Sequence, residues 1–181
     1  MIAAVSREAK LEQTPVGRYP AGEGWFVLNA KDARWHLAGT GGKLTFFEGD
    51  NAGFERLGIN VAVLEPGRPM AMYHWEDEQE DFLVISGEAL LVVEGQERPL
   101  RAWDLVHCPP RTGHVIVGAG SGPCVVVGVG TRGTGDESAY TVDATAAKHD
   151  ASVEEETTDS GAAYARFPAW RAAPYEEGWL P

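Results

Sequence analysis

Short apolar and β-branched segments alternate with glycine, proline and charged residues between Leu44 and Gly130. Such punctuation is typical of an all-β domain whose strands follow one another along the chain. The pattern predicts nine strands, at Leu44–Phe47, Gly58–Leu64, Met70–Trp75, Asp81–Ile85, Ala89–Val93, Arg98–Ala102, Leu105–Cys108, His114–Val117 and Cys124–Val129. Strand series of this kind close into sandwiches or barrels, so we expect a single β-barrel.

Some of the predicted strands are apolar on both faces, as in Phe82 to Ile85 and Cys124 to Val127. A strand of this kind needs a cover on each side, and a lone barrel supplies only the inner one. The outer cover must therefore come from the ends of the chain or from a second subunit. This second alternative is the basis for a homodimer hypothesis.

Composition divides the chain into three parts. Residues 1–42 contain aromatic residues enough to pack on a barrel wall and too few for a core of their own, so we interpret them as an N-terminal arm. Residues 43–130 are the barrel. Residues 131–181 form a partly irregular C-terminal extension, rich in Thr, Asp, Glu, Ala and Gly, whose aromatic residues near the end are expected to dock on the barrel or on a partner.

Charge and cysteine content narrow the function classes. The net charge of −12 and the absence of a dense Lys and Arg stretch argue against nucleic acid and anionic membranes as partners. Met1 to Lys10 has no apolar run like a signal peptide, and no apolar stretch reaches membrane-spanning length. With Cys108 and Cys124 interpreted as reduced, a cytoplasmic location is expected.

One set of residues has the chemistry of a metal site. His74 and Glu76 are two residues apart in a predicted strand and so share a face, and Glu80 opens the next strand. His114 follows a proline-containing turn into a further strand, which brings a second imidazole within reach. Imidazole and carboxylate together favour one divalent transition metal, Zn, Fe, Mn, Ni or Co, over Ca or Mg.

The spacing of these residues resembles the two motifs of the cupin superfamily, specifically its single-barrel, cupin-2-like members. The first motif is represented by His74, Trp75, Glu76, Glu80 and Gly87; the second by Trp103, Asp104, Pro109, Pro110, Arg111, His114 and Gly118. Glu76 replaces the family's second His, Trp103 and Arg111 replace glycines, and Gly118 replaces Asn. The resemblance covers about half of the chain.

The resemblance implies a double-stranded β-helix, or jelly-roll, barrel with N- and C-terminal extensions. It implies metal binding by His74, Glu80 and His114, and by Glu76 only as a chemical substitute for imidazole. Two alternatives remain open: the three residues form a polar network without metal, or Glu76 belongs to an exposed acidic loop that solubilises the protein.

Inward-facing positions predict an apolar pocket beside the metal, with walls of Met72, Phe82, Val84, Val106 and Cys108. Cys108 is open to two interpretations, a reactive pocket thiol or a small core residue. No further inward-facing His, Lys or Tyr is evident near the ligands to act as a general acid or base, which argues against an acid-base isomerase.

Two functions fit these features. The first is a metal-binding cupin that acts on a small organic molecule, as in dioxygenase-like or related metalloenzymes. The alternative is a cupin that binds a sugar or another metabolite without turnover. A fold hosts many chemistries, so the barrel alone does not distinguish them.

Overall fold

The protein is described by a computed structural model that covers residues 7–133 and 137–181. Residues 1–6 of the predicted arm and 134–136 of the predicted extension lie outside the described residues. The strands of the described part are β1 Leu11–Thr14, β2 Gly17–Pro20, β3 Trp35–Leu37, β4 Lys43–Thr45, β5 Leu57–Leu64, β6 His74–Glu76, β7 Glu80–Ser86, β8 Glu88–Val93, β9 Gln96–Arg101, β10 Leu105–Cys108, β11 His114–Ala119, β12 Cys124–Thr131, β13 Ser138–Tyr140 and β14 Arg171–Ala173.

Helical structure in the described ranges is brief. A 3-10 turn spans Ala30–Asp32, and two short helices follow in the C-terminal extension, α1 at Ala144–Ala147 and α2 at Ser160–Ala163. Asp143 caps α1 by accepting hydrogen bonds from the backbone N–H groups of Thr145 and Ala146. None of the helices described here is long and apolar enough to cross a membrane.

The strands form two large antiparallel sheets and one small hairpin. The seven-stranded sheet has the order β10-β7-β12-β5-β4-β3-β14, and the five-stranded sheet has the order β13-β6-β11-β8-β9. Strands β1 and β2 form a separate two-stranded hairpin. Neighbours in the large sheets are mostly distant in sequence, which is the jelly-roll arrangement of a double-stranded β-helix and confirms the expected fold class.

The main core lies between the two large sheets. Leu64 and Val84 from the seven-stranded sheet pack there with Leu91 and Ile116 from the five-stranded sheet, and all four are buried. Alternation along each strand places every second side chain in this interior, which is the period-2 pattern expected of a half-buried strand.

Both sheets are also covered on their outer faces, and the cover comes from the chain's own ends. Tyr175, Trp179 and Leu180 pack with Trp35 against Val63 and Val125 of the seven-stranded sheet. Residues Ala146 and Ala151 of the C-terminal extension pack in the same way on the five-stranded sheet. The outer cover of these faces therefore comes from the ends of the chain and not from a second subunit.

The nine strands predicted from the sequence each overlap an observed strand, but one prediction is wrong over much of its length. Of the predicted strand Met70–Trp75, only residues 74 and 75 belong to a strand, β6. The backbone N–H of Met70 donates to Ile116 O, whereas that of Tyr73 donates to Ala151 O. Because these bonds run to different neighbours, no ladder forms, and strand alternation does not extend to Met72.

Replacing Trp35 tests the outer cover. Its side chain is fully buried, its ring lies 5.4 Å from that of Trp179, and its indole Nε1–H donates to Ala30 O at 2.8 Å. We expect Trp35→Ala to lower the free energy of unfolding by about 3–5 kcal/mol in urea titrations. Trp25 is 53% exposed, so the control Trp25→Ala should change it by about 1 kcal/mol or less. Equal losses in the two variants would contradict this packing.

Candidate metal centre

Three strands begin at the site. His74 is the first residue of β6, Glu80 of β7 and His114 of β11, so all three side chains lie at one end of the barrel. The register pairs His114 with His74 across β11 and β6, while Glu80 comes from the opposite sheet. The site therefore lies where the two large sheets approach each other.

The three side chains offer ligand atoms that converge. These atoms all lie within 4.8 Å of one another. Glu80 Oε2 is 3.2 Å from His114 Nε2 and 3.8 Å from His74 Nε2. The side chains are 17%, 3% and 14% exposed respectively, which shields the cluster from bulk water. This compactness matches the size of a site for one metal ion.

The tautomer of each imidazole follows from its backbone contact. His74 Nδ1 lies 2.7 Å from Met72 O, and His114 Nδ1 lies 2.9 Å from Thr112 O. A carbonyl oxygen only accepts, so each Nδ1 carries the hydrogen and donates it. In the neutral ring, Nε2 then presents its lone pair to the cluster, as in histidines that bind metal.

Two atoms of the cluster lack hydrogen bonds within the described part of the chain. Glu80 Oε2 and His114 Nε2 are both buried, and despite their 3.2 Å separation neither has a partner with acceptable geometry. An unsatisfied buried polar group costs about 1–3 kcal/mol. A cation placed between them would satisfy both, so the residues present fit a divalent metal.

The electrostatics suit the same role. Burial and the charge of His114 lower the pKa of His74, which keeps its ring neutral. Burial alone would raise the pKa of Glu80, but His114 and His74 lower it, so the carboxylate is ionised. Burial also opposes a charged His114, yet the Cys108 thiol and Glu80 raise the pKa of this ring. Metal binding at His114 would replace a proton.

Glu76 lies beside the cluster and is not one of its three members. Its Oε1 is 3.7 Å from His74 Nε2, and its side chain is 39% exposed. The period-2 argument thus correctly places His74 and Glu76 close together. It does not bring the Glu76 carboxylate into the group formed with Glu80 and His114.

A cavity of about 150 Å³ adjoins the cluster. Its walls from the barrel include Leu44, Asn60, Met70, Phe82 and Ile116, and its walls from the C-terminal extension are Tyr164 and Trp170. The cavity is thus mainly apolar, with His74, Glu80 and His114 as polar groups in its lining.

The predicted pocket residues lie in two places. Phe82 lines the cavity. Val84, Val106 and Cys108 are buried in the barrel interior with Phe82 but are not part of the cavity wall. Met72 is fully buried against Val153 and Ala163 of the extension, since it precedes β6 and does not follow that strand's alternation.

Sequence reasoning missed the tyrosines of this site, both of which come from the C-terminal extension. The Tyr140 ring lies 5.7 Å from that of His74 and meets Tyr164 edge to face at 5.6 Å. The Tyr164 hydroxyl accepts a hydrogen bond from Met72 N–H at 3.0 Å. Burial raises the pKa of both phenols, so both stay neutral. The extension has no regular pattern of apolar and polar residues from which the orientation of these two tyrosine side chains could have been predicted.

The sequence analysis also missed Asn60, although the alternation of side chains along β5 would have indicated that it faces the interior. It lies two residues before Ala62 and four before Leu64 in β5, so it shares their inward face. Its Oδ1 is buried and has no hydrogen-bond partner in the described ranges. The residue opposite Asn60 in the ladder is Gly128, where a Cβ would come within 3.0 Å of the Asn60 amide. Gly128 thus makes room for a polar side chain in the cavity.

The departures from the family motifs have local explanations. Trp103 and Arg111, which stand where the motifs have glycine, keep a left-handed backbone with φ of 76° and 66°. Gly118 stands where the motif has Asn, and a Cβ there would lie 2.3 Å from Glu65 O. The backbone conformation is thus kept at two sites whose side chain changed, and the third accommodates a close approach of two backbone segments.

Comparison with known proteins supports the same fold. Residues 60–130 match the model of the family described as Cupin domain. A cupin-like protein from Thermotoga maritima is 19% identical, with 67% of this chain and 90% of that chain covered and a TM-score of 0.52. The polyketide cyclase RemF from Streptomyces resistomycificus is 14% identical, with 59% and 79% covered and a TM-score of 0.51. At these identities the likeness concerns the fold alone.

A protein from Acidithiobacillus ferrooxidans, described as a candidate sugar phosphate isomerase, is 28% identical. The match covers 56% of this chain and 64% of that one, with a TM-score of 0.49, and carries no conclusion about the reaction. No curated protein matches the sequence. The family match falls on the strands that carry the three clustered side chains, and it identifies residues 60–130 of the chain as a segment similar to a cupin domain.

Proposed function

We propose that this protein is a metal-binding cupin that acts on a small organic molecule, in the manner of dioxygenase-like or related metalloenzymes. His74, Glu80 and His114 are the ligands of one divalent transition metal, Zn, Fe, Mn, Ni or Co. The observation that carries the proposal is the pair of buried, unsatisfied atoms, Glu80 Oε2 and His114 Nε2, within the converging cluster.

The donor set indicates the class of chemistry. Two imidazoles and one carboxylate leave coordination positions open, and a bound ion of this class supplies Lewis-acid polarisation or, as Fe(II), oxygen chemistry. The residues around it hold the ligands in place: Met72 O and Thr112 O fix the two rings, and the Tyr140 ring lies beside His74 at an interplanar angle of 37°. Glu76 contributes negative charge at the exposed side of the site.

The cavity suggests the class of ligand. Met70, Phe82 and Ile116 offer apolar contacts, whereas Asn60 Oδ1 is a buried acceptor that has no hydrogen-bond partner in the described part of the chain. A small, partly apolar molecule with one polar group facing Asn60 would satisfy this lining. Such a molecule would also contact Tyr164 and Trp170, which the extension contributes to the lining.

Metal content tests the ligand set. Untagged protein should contain close to one transition-metal ion per chain by elemental analysis, and His74→Ala together with His114→Ala should abolish it, because two of three ligands are lost. His107 lies on the exposed outer face, where its Nδ1 pairs with Asp81 at 2.6 Å. The matched control His107→Ala should keep the metal. Metal that persists in the double variant would refute the site.

Glu76→Gln tests the neighbouring carboxylate. Because Glu76 lies beside the three clustered residues, we expect Glu76→Gln to keep the stoichiometry while weakening metal affinity by about 10–100-fold. Competition titrations with a chelator measure this change. Loss of the ion from Glu76→Gln under conditions where the wild type is saturated would instead make Glu76 a ligand.

Oxygen uptake separates an enzyme from a binding protein. Fe(II)-loaded protein, supplied with small aromatic and partly apolar compounds, should consume oxygen in step with loss of one of them. The His74→Ala variant should consume none. A compound that binds and is recovered unaltered, with no oxygen uptake, would favour the alternative of a metabolite-binding cupin.

A homodimer remains part of the proposal. The faces of both sheets are covered by the chain itself, but Leu105 of the edge strand β10 and the adjoining Trp103 are 68% and 73% exposed. Light scattering at micromolar concentration should give about twice the 19.5 kDa of one chain, and Leu105→Glu should give the monomer. A wild-type mass of one chain would exclude the dimer.

A further inference from the structure

A second cavity is lined by residues other than the three clustered side chains. It has a volume of about 210 Å³ and is lined by Thr40, Gly67, Arg68, Pro69, Asp150, Arg166 and Phe167. It shares no lining residue with the cavity beside the metal centre. Its walls come from two turns of the barrel and from the C-terminal extension.

Thr40 gives this cavity an unsatisfied polar group. The residue is 3% exposed, and its Oγ1 is buried without a hydrogen-bond partner in residues 7–133 and 137–181. Threonine hydroxyls in protein interiors are nearly always bonded, since a bare one is unfavourable. A ligand with a hydrogen-bond acceptor in the cavity would remove this cost.

Arg68 supplies a positive charge that the described part of the chain does not neutralise. No ion pair or side-chain hydrogen bond is formed there by its guanidinium. The side chain lies close over Gly41, where a Cβ would come within 3.0 to 3.3 Å of Arg68 Cδ, Cγ and Nε. Packing on Gly41 thus positions Arg68 next to Thr40.

Arg166 supplies a second charge that is held in place. Its Nη2 donates to Asp150 O at 2.7 Å and to Ser152 O at 3.3 Å, and its guanidinium lies 4.9 Å from the centre of the Phe167 ring. Both acceptors are neutral carbonyls, and Arg166 forms no ion pair with a carboxylate in the described ranges. A guanidinium fixed in this way is organised to bind an anion.

We propose that this cavity binds a small phosphate-type oxyanion, either inorganic phosphate or the phosphate group of a monoester. Arg68 and Arg166 provide charge from different elements of the fold, and the Thr40 hydroxyl donates a third bond. Three donors from separate directions suit a tetrahedral oxyanion better than a planar carboxylate. Asp150 lowers the local charge by one, which moderates the affinity.

The site is unexpected in so acidic a protein. With a net charge of −12, the chain as a whole repels anions, whereas Arg68 and Arg166 form no ion pair within residues 7–133 and 137–181. Arg166 also lines a neighbouring cavity with Glu154, Glu155 and Glu156, whose charges further moderate the affinity. A local site for an anion is compatible with this net charge because salt screens distant charges within about 10 Å.

Calorimetric titration of the full chain with inorganic phosphate, at constant ionic strength, tests the proposal. We expect saturable binding of one phosphate per chain, weakened about 10-fold or more by Thr40→Val and by Arg166→Gln, since each removes a hydrogen bond to a charged ligand. Arg98→Gln is the control: Arg98 lies on the exposed strand β9 and should leave binding unchanged.

Two further variants distinguish a loss of the phosphate site from misfolding and from binding at the other cavity. Asp150→Asn should tighten binding because it removes a negative charge, a gain that misfolding cannot produce. His114→Ala should leave phosphate binding intact, since the two cavities share no residue. Titration with glycerol phosphate then shows whether the monoester binds as well as the free ion.

The proposal is overturned by any of three results: no saturable binding, equal losses in Arg98→Gln and Arg166→Gln, or binding that disappears in His114→Ala. The last result would place the phosphate on the metal centre. Because the expected binding does not require a metal, failure of the metal proposal would leave this one standing, and the reverse also holds.

Discussion

A carboxylate oxygen and an imidazole nitrogen, Glu80 Oε2 and His114 Nε2, lie 3.2 Å apart in a buried site and form no hydrogen bond. The fold brings them there from opposite sheets, and backbone carbonyls hold both imidazoles so that Nε2 faces inward. Leaving such atoms unsatisfied is unfavourable by about 1–3 kcal/mol each. A cation shared by the two atoms would remove this cost, which is the physical basis of the proposed metal site.

The C-terminal extension has a larger part in the protein than its composition suggests. It covers the outer faces of both sheets, adds strands β13 and β14 to them, and supplies Tyr164 and Trp170 to the cavity wall. These residues lie outside the matched segment 60–130. The cupin domain thus carries the clustered ligand atoms, while residues beyond it complete the space in which a ligand would bind.

Strand rhythm and motif spacing were enough to predict the β-fold and to bring His74, Glu80 and His114 together, because strand alternation and register are local properties. The same reasoning failed at Met72, where irregular hydrogen bonding interrupts the alternation before β6. It could not find Tyr140 and Tyr164, whose positions depend on how the extension docks. Asn60 was within its reach, since it shares the inward face of Ala62 and Leu64.

The proposed shared cation is tested most directly by anomalous X-ray diffraction from crystals of the untagged protein, collected at the absorption edge of the metal found in it. The geometry predicts one ion bound by His74 Nε2, His114 Nε2 and a Glu80 carboxylate oxygen, at about 2.0–2.2 Å. An anomalous peak elsewhere in the molecule, or a cluster in which Glu80 and His114 bond directly to each other with no ion after metal addition, would contradict the account.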